Sequence, residues 1–124
     1  MHIPDGFLGA KTCLGLTLIS GGFLIAALKR FKKDDLEQRV PLIGVTAAFI
    51  FAAQMLNFPV AGGTSGHFMG GVLAGMLLGP WTGFIAMSLV LIIQALIFQD
   101  GGLTTLGANI FNMGLVGSAG GFYV

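Results

Sequence analysis

From Val40 to Gln99 the chain contains no Asp, Glu, Lys or Arg, and this uncharged expanse limits what the polypeptide can fold into. Soluble domains carry about a quarter of their residues as charged side chains. Here the charged fraction is 9%, with 55% hydrophobic residues and a mean hydropathy of +0.91. Such a chain belongs in lipid, where no water satisfies backbone N–H and C=O groups and a spanning segment of this kind must be helical. The expected architecture is an all-α, polytopic transmembrane helix bundle of about five spans, forming one membrane-embedded domain over residues 1–124. A net charge of +1 argues against nucleic acid as a partner. The 21 glycines suit close helix contact, because small residues let backbones approach.

Thr12 to Phe31 is mainly apolar and long enough, at about 1.5 Å per residue, to cross a bilayer core of about 30 Å. It runs into a loop, Lys29 to Arg39, that holds five of the six basic residues. By the positive-inside rule this loop is cytoplasmic and the amino terminus lies outside. Pro41 to Phe58 reads as a second span with proline at a permitted helix start. A glycine-rich loop, Asn57 to Gly66, then delivers His67 to the outer face. Phe68 to Pro80 is short for a span, and Gly71, Gly75 and Gly79 form a contact stripe better suited to internal packing than to a partner. Trp81 to Phe98 crosses next and carries the polar Gln94. The loop from Gln99 to Ala108 is outside again, and in it Asp100 is the only acid after Glu37. Asn109 begins a marginal fifth span that stops at Val124, as expected of a truncated chain or of one whose remaining helices a partner supplies.

The opening Met1-His2-Ile3-Pro4-Asp5-Gly6 carries chemistry. A free amino terminus followed by histidine offers three nitrogens in order: the Met1 α-amine, the His2 amide nitrogen and His2 Nδ1. Coordination through all three closes a five-membered and a six-membered ring, and the planar peptide keeps the set near one plane. Ni(II) and Cu(II) favour that arrangement, with cobalt just below them in affinity. One corner stays open. His67 is the only strongly metal-binding side chain between Val40 and Gln99, and the topology drawn from the lysines puts it on the same side of the membrane as His2. As a neutral imidazole it completes a square-planar set of four nitrogens.

The chelate needs Met1 retained and unblocked, which the bulky His2 favours. No Lys or Arg precedes Lys11, so the start does not read as a cleavable leader, and Pro4-Asp5-Gly6 reads as a turn folding the terminus back. Against the chelate, chain termini commonly fray, and a lone membrane histidine is more often a hydrogen-bonding bridge between helices. Asn57, Thr64, Ser65, Gln94, Asp100, Thr104 and Asn109 are candidates to hydrogen-bond to the ligands from outside the coordination sphere, although ordinary loop chemistry explains the stretch from Gln99 to Ala108 equally well. Cys13 reads as a buried thiol, and Met69 and Met76 as packing.

The Met1–Gly6 opening, the Gly63-Thr64-Ser65-Gly66-His67 loop and the Gln99-Asp100-Gly101-Gly102 loop together resemble the cobalt/nickel substrate-binding membrane subunits (CbiM/NikM family, S component) of energy-coupling factor transporters. The similarity runs the length of the chain and covers the N-terminal part of the family's usual length. The resemblance implies an extracytoplasmic Ni(II) or Co(II) ion, bound as cargo with no permanent cofactor, held by Met1, His2 and His67. It also implies partners: a transmembrane coupling subunit, a cytoplasmic ATPase pair and a small accessory membrane protein, in a prokaryotic cell membrane. The chain has no G-x-x-x-x-G-K-[ST] phosphate loop and reads as a binding and translocating subunit, not an enzyme. Two other readings stand beside this one. In the first, a passive channel or small-solute carrier uses His67 and Asp100 to line a polar path. In the second, the chain is a structural membrane subunit with no ligand.

Overall fold

The computed structural model describes residues 2–31, 33–62 and 64–124. Helices α1 (Ala10–Arg30) and α2 (Lys33–Gln54) come first, followed by strands β1 (Phe58–Val60) and β2 (Thr64–Gly66). Next are α3 (Gly70–Leu78) and α4 (Pro80–Ile97), and then a last helical run of α5 (Leu106–Asn109), a π-helical segment (Ile110–Val116) and α6 (Gly117–Tyr123). Among the described residues α1 and α4 are long and apolar enough to cross a membrane by length and composition. Helix α3, with 9 residues, rises only about 13 Å and is too short to cross.

One expectation is corrected. Pro41 does not start the second helix; it lies inside α2, which begins at Lys33. Lys33, Glu37, Gln38 and Arg39 are good helix formers and Asp34 and Asp35 suit a first turn, so the helix extends N-terminally past the proline. The proline forfeits the hydrogen bond that a residue-41 N–H would have made. The fold is mostly helical, as an all-α bundle requires, and the glycine-rich loop adds a short two-stranded antiparallel hairpin with Phe58 opposite Gly66, Pro59 opposite Ser65 and Val60 opposite Thr64. Aromatic and β-branched residues at Phe58 and Val60 favour extended backbone. Gly62, at φ +95°, supplies the left-handed turn residue. A side chain at Gly66 would meet the Phe58 ring at 2.7 Å, so the ring lies over a bare backbone.

The core is built around α4. Phe84, Met87, Val90 and Leu91 are buried against Ala27 of α1, Ala47 and Ile50 of α2, Ala74 of α3 and Ile110. Beside it α3 meets the last helical run backbone to backbone. A Cβ at Gly71 would run into the Met113 carbonyl and one at Gly75 into that of Ser118, which makes this part of the glycine stripe internal packing. Gly79 differs, since it faces open space and ends α3 at φ +82°. Helix α1 is tied on at its middle and at its C-terminal end. Its Ser20 hydroxyl donates to the Gly107 carbonyl at 2.7 Å, and Arg30 lies 5.2 Å from the Trp81 ring centre.

Gly71→Ala and Gly75→Ala are each expected to destabilise the bundle by about 1–3 kcal/mol through overpacking, read as a lower thermal midpoint in detergent. Gly15→Ala in α1, where a Cβ meets nothing, is expected to be neutral or slightly stabilising.

Candidate metal centre

Residues 2–5 form a strap laid across the loop that follows α4. The Ile3 N–H donates to Asn109 Oδ1 at 2.8 Å. The Ile3 carbonyl accepts from Gly102 N at 3.0 Å, Thr105 Oγ1 at 2.6 Å and Asn109 Nδ2 at 3.1 Å. Two residues on, the Asp5 carboxylate accepts from the backbone N–H groups of Leu103 at 3.2 Å and Thr104 at 2.8 Å, and from the Thr104 hydroxyl. A Cβ at Gly102 would collide with Asp5, so that position must be bare. The Thr104 hydroxyl, then the Thr104 amide, hold the exposed Asp5 carboxyl below its ordinary range.

With Ile3 fixed, His2 is turned inward and its side chain is 3% exposed. Its Nε2 lies 3.0 Å from Gln94 Oε1. Asp100 Oδ1 stands 3.2 Å from Nδ1, yet Nδ1 has no hydrogen-bond partner among the described residues. Asp100 is delivered by a tight turn in which Gln99 adopts φ +53° and Gly101 φ +100°. A Cβ at Gly101 would come within 3.1 Å of His2 Cβ. Burial lowers the His2 pKa, with Asp100 pulling the other way, which favours the neutral imidazole that binds metals.

His67 follows β2 and is 5% exposed. Its Nδ1 lies 2.9 Å from the Phe68 carbonyl, which can only accept, so Nδ1 carries the proton and Nε2 the lone pair. That Nε2 is buried with no hydrogen-bond partner among the described residues. The same Phe68 carbonyl accepts from Gln54 Nε2 at 3.2 Å. The rings of His2 and His67 meet with centroids 5.0 Å apart and planes tilted by 36°.

Of the residues singled out in the sequence, His2, His67, Gln94 and Asp100 come together. Asn109 and Thr104 hold the strap and make no described contact with an imidazole. Asn57 is exposed, with its N–H on the Met55 carbonyl at 3.2 Å. Thr64 and Ser65 are hairpin residues. The Met1 amine lies outside the described residues. Cys13 is buried with Sγ 3.8 Å from the Leu8 carbonyl, and Met76 is exposed. Sequence reasoning missed Asp5 as a clamp, Thr105 and Gln54. Asp5 sits in a Pro-Asp-Gly turn signal that explained it locally, and nothing in the chain marked Thr105 or Gln54 as a partner. A half-open cavity of about 290 Å³ lies elsewhere, beside Gln54, Met69, Asn112 and Met113, and neither histidine lines it. No three His, Cys or carboxylate side chains form a ready cage among the described residues.

Residues 2–124 match the family model of CbiM, the cobalt uptake substrate-specific transmembrane region. The chain belongs to this family. It is 50% identical over 124 residues to a protein named putative fused nickel transport protein NikMN from Archaeoglobus fulgidus, covering 100% of this chain and 41% of the relative. Over 120 residues it is 42% identical to the cobalt transport protein CbiM of Thermosediminibacter oceani, covering 95% of this chain and 49% of that one. A crystal structure described as a transition metal transporter superposes with a TM-score of 0.87 at 40% identity, over 100% of this chain and 55% of the other. The chain thus spans about half the length of these CbiM-family relatives, which are named as transport proteins and not as enzymes.

Because the folded Asp5 pKa is depressed, its clamp contributes stability above the ordinary carboxylate pKa of about 3.9. That contribution is lost as pH falls through the lower folded value. Protection of the Thr104 amide, measured against its intrinsic exchange rate at each pH, is therefore expected to fall below about pH 4, and Asp5→Ala to lower it at neutral pH, with helix amides of α4 unaffected.

Proposed function

We propose that this CbiM-family chain is the ion-capturing part of an energy-coupling factor transporter that imports Ni(II) or Co(II). The ion sits outside the membrane in a square-planar set made by the Met1 amine, the His2 amide, His2 Nδ1 and His67 Nε2. One observation carries the reading. The chain's two histidines meet at 5.0 Å, each with a buried nitrogen lacking a hydrogen-bond partner among the described residues. Leaving such atoms unpaired is costly, and one cation satisfies both. With metal–nitrogen bonds of about 2.0–2.1 Å, imidazoles on adjacent corners of a square have ring centres roughly 4.5 Å apart, close to the spacing here.

The backbone supports the same assignment. The strap's described hydrogen bonds use the N–H of Ile3, which leaves that of His2 to the ion. Among the described residues no three His, Cys or carboxylate side chains supply a ready cage, which supports main-chain nitrogens as the further donors. Such a set suits late transition metals and not Mg(II) or Ca(II), which take oxygen ligands. Gln94 and Asp100 would hold and balance the loaded His2, and Asn109 and Thr104 would keep the strap in register. The amino terminus is then extracytoplasmic and the Lys29–Arg39 loop cytoplasmic. A transmembrane coupling subunit, a pair of cytoplasmic ATPases and a small accessory membrane protein complete the transporter.

Isothermal titration of the detergent-purified protein with Ni(II) and Co(II) tests this. One alanine added before Met1, or His67→Ala, is expected to abolish tight binding. Unchanged affinity in the extended protein would sink the chelate. Because the amine and the amide each lose a proton on binding, affinity is expected to fall roughly a hundredfold per pH unit below the ordinary amine pKa of about 7.7–8.0.

A further inference from the structure

Gln94 sits near the C-terminal end of α4, fully buried in a mainly apolar helix whose other polar residues are the small Thr82 and Ser88. A polar side chain in such a span is costly and calls for a purpose. Its backbone carbonyl accepts the N–H groups of Phe98 at 3.2 Å and Asp100 at 3.0 Å, which fixes the turn that presents Asp100. Its side-chain Oε1 faces His2 Nε2 at 3.0 Å. A carboxamide oxygen only accepts, so the hydrogen at this contact belongs to Nε2. A neutral imidazole has a single N–H, and Nδ1 is left with its lone pair.

The other side of the ring agrees. Turning the Gln94 amide over would aim an N–H at Nε2 and move the ring proton to Nδ1. A protonated Nδ1 beside a carboxylate oxygen at 3.2 Å would be drawn into line with it. Instead Nδ1 makes no hydrogen bond among the described residues, so the carboxylate stands beside the lone-pair direction. His67 is set the opposite way, with its proton held on Nδ1 by the Phe68 carbonyl. Each histidine is thereby held with a different nitrogen bare.

We infer that Gln94 is a positioning residue that locks His2 in its Nε2–H tautomer, keeping Nδ1 open toward an incoming cation. The consequence for cation binding rests on the metal-capture reading above; the tautomer itself does not. Nδ1 is the ring nitrogen that closes a six-membered chelate with the His2 amide, whereas Nε2 points away from the backbone and cannot. A ring in the other tautomer must shed its Nδ1 proton and rearrange before it binds. Partners that orient a ligand in this way are worth about 10- to 100-fold in affinity.

The chain contains two histidines, so histidine labelled on its ring nitrogens gives two readable rings in a proton–nitrogen NMR correlation of the metal-free protein at about pH 8, where imidazole is neutral. The expected pattern is a proton on Nε2 of His2 and on Nδ1 of His67. In Gln94→Met, which keeps length and removes the acceptor, His2 is expected to lose its single tautomer. The His67 signals stay in place and report an intact bundle, while Ni(II) affinity falls about 10- to 100-fold. Gln94→Glu, which retains an acceptor oxygen, is expected to restore the tautomer and most of the affinity. A native His2 protonated on Nδ1 overturns the inference, as does a Gln94→Met protein that keeps both the Nε2–H tautomer and full affinity. Should Gln94→Met fail to fold, the native spectrum and Gln94→Glu decide. If the native tautomer is as expected but Ni(II) binds weakly, the lock stands and the capture reading falls.

Discussion

The end of the molecule that holds both histidines depends on Ile3, whose N–H and C=O are both bound by residues 102–109. Chain termini fray because little restrains their backbone. Here one carbonyl takes three donors, and the neighbouring N–H is taken by the same asparagine that supplies one of them. Pro4 next in sequence has a fixed φ and no N–H of its own to satisfy, so the strap reaches Asp5 with little freedom to lose. His2 immediately precedes this pinned unit. Its imidazole therefore has one direction to go, inward past Gly101.

That anchoring works only because the receiving surface is rigid and bare in the right places. The turn after α4 brings Gly101 and Gly102 against His2 and Asp5 with no Cβ between them. The bare positions of α3 and of the last helical run allow Met113 and Ser118 to lie directly on Gly71 and Gly75. Within lipid no hydrophobic drive pushes helices together, and dispersion between close backbones takes its place. Asn109 stands where the α-helical turn gives way to the π-helical segment Ile110–Val116. Such segments gather at functional sites, and here the transition sits beside the residue that holds the strap.

Much of this was legible before any coordinates. Lysine counting in the loop from Lys29 to Arg39 put His67 on the same face as His2, and the structure brings the two rings into contact. The glycine stripe at Gly71 and Gly75 declared a helix contact by spacing alone. Other features left no periodic trace. A three-residue strand such as Phe58–Val60 is too short to register against a background of glycines. The π-helical widening has no signature separable from a helix. Asp5 was hidden by its own turn motif, since Pro-Asp-Gly explains an aspartate locally while its carboxylate reaches residues nearly a hundred positions away. Long-range partners of polar side chains are set by topology, which composition does not encode.

The division between strap and bundle also bears on how an ion held here would leave. His67 lies between the hairpin and α3, on the Phe68 carbonyl that Gln54 of α2 also binds, whereas His2 belongs to a strap whose described hydrogen bonds end on residues 94–109. Each such bond contributes only about 0.5–1.5 kcal/mol net, and those of Asp5 lie where water can replace them. Withdrawing the strap therefore costs a handful of hydrogen bonds and no helix packing, a local opening far cheaper than unfolding the core around Phe84 and Leu91. Under the capture reading, the donors on the strap would depart together, because one terminus carries them. An ion left with His67 alone would be held by a single imidazole. On that reading tight capture and ready release are compatible, because the multidentate part of the site would sit on a segment held by hydrogen bonds and not by helix packing.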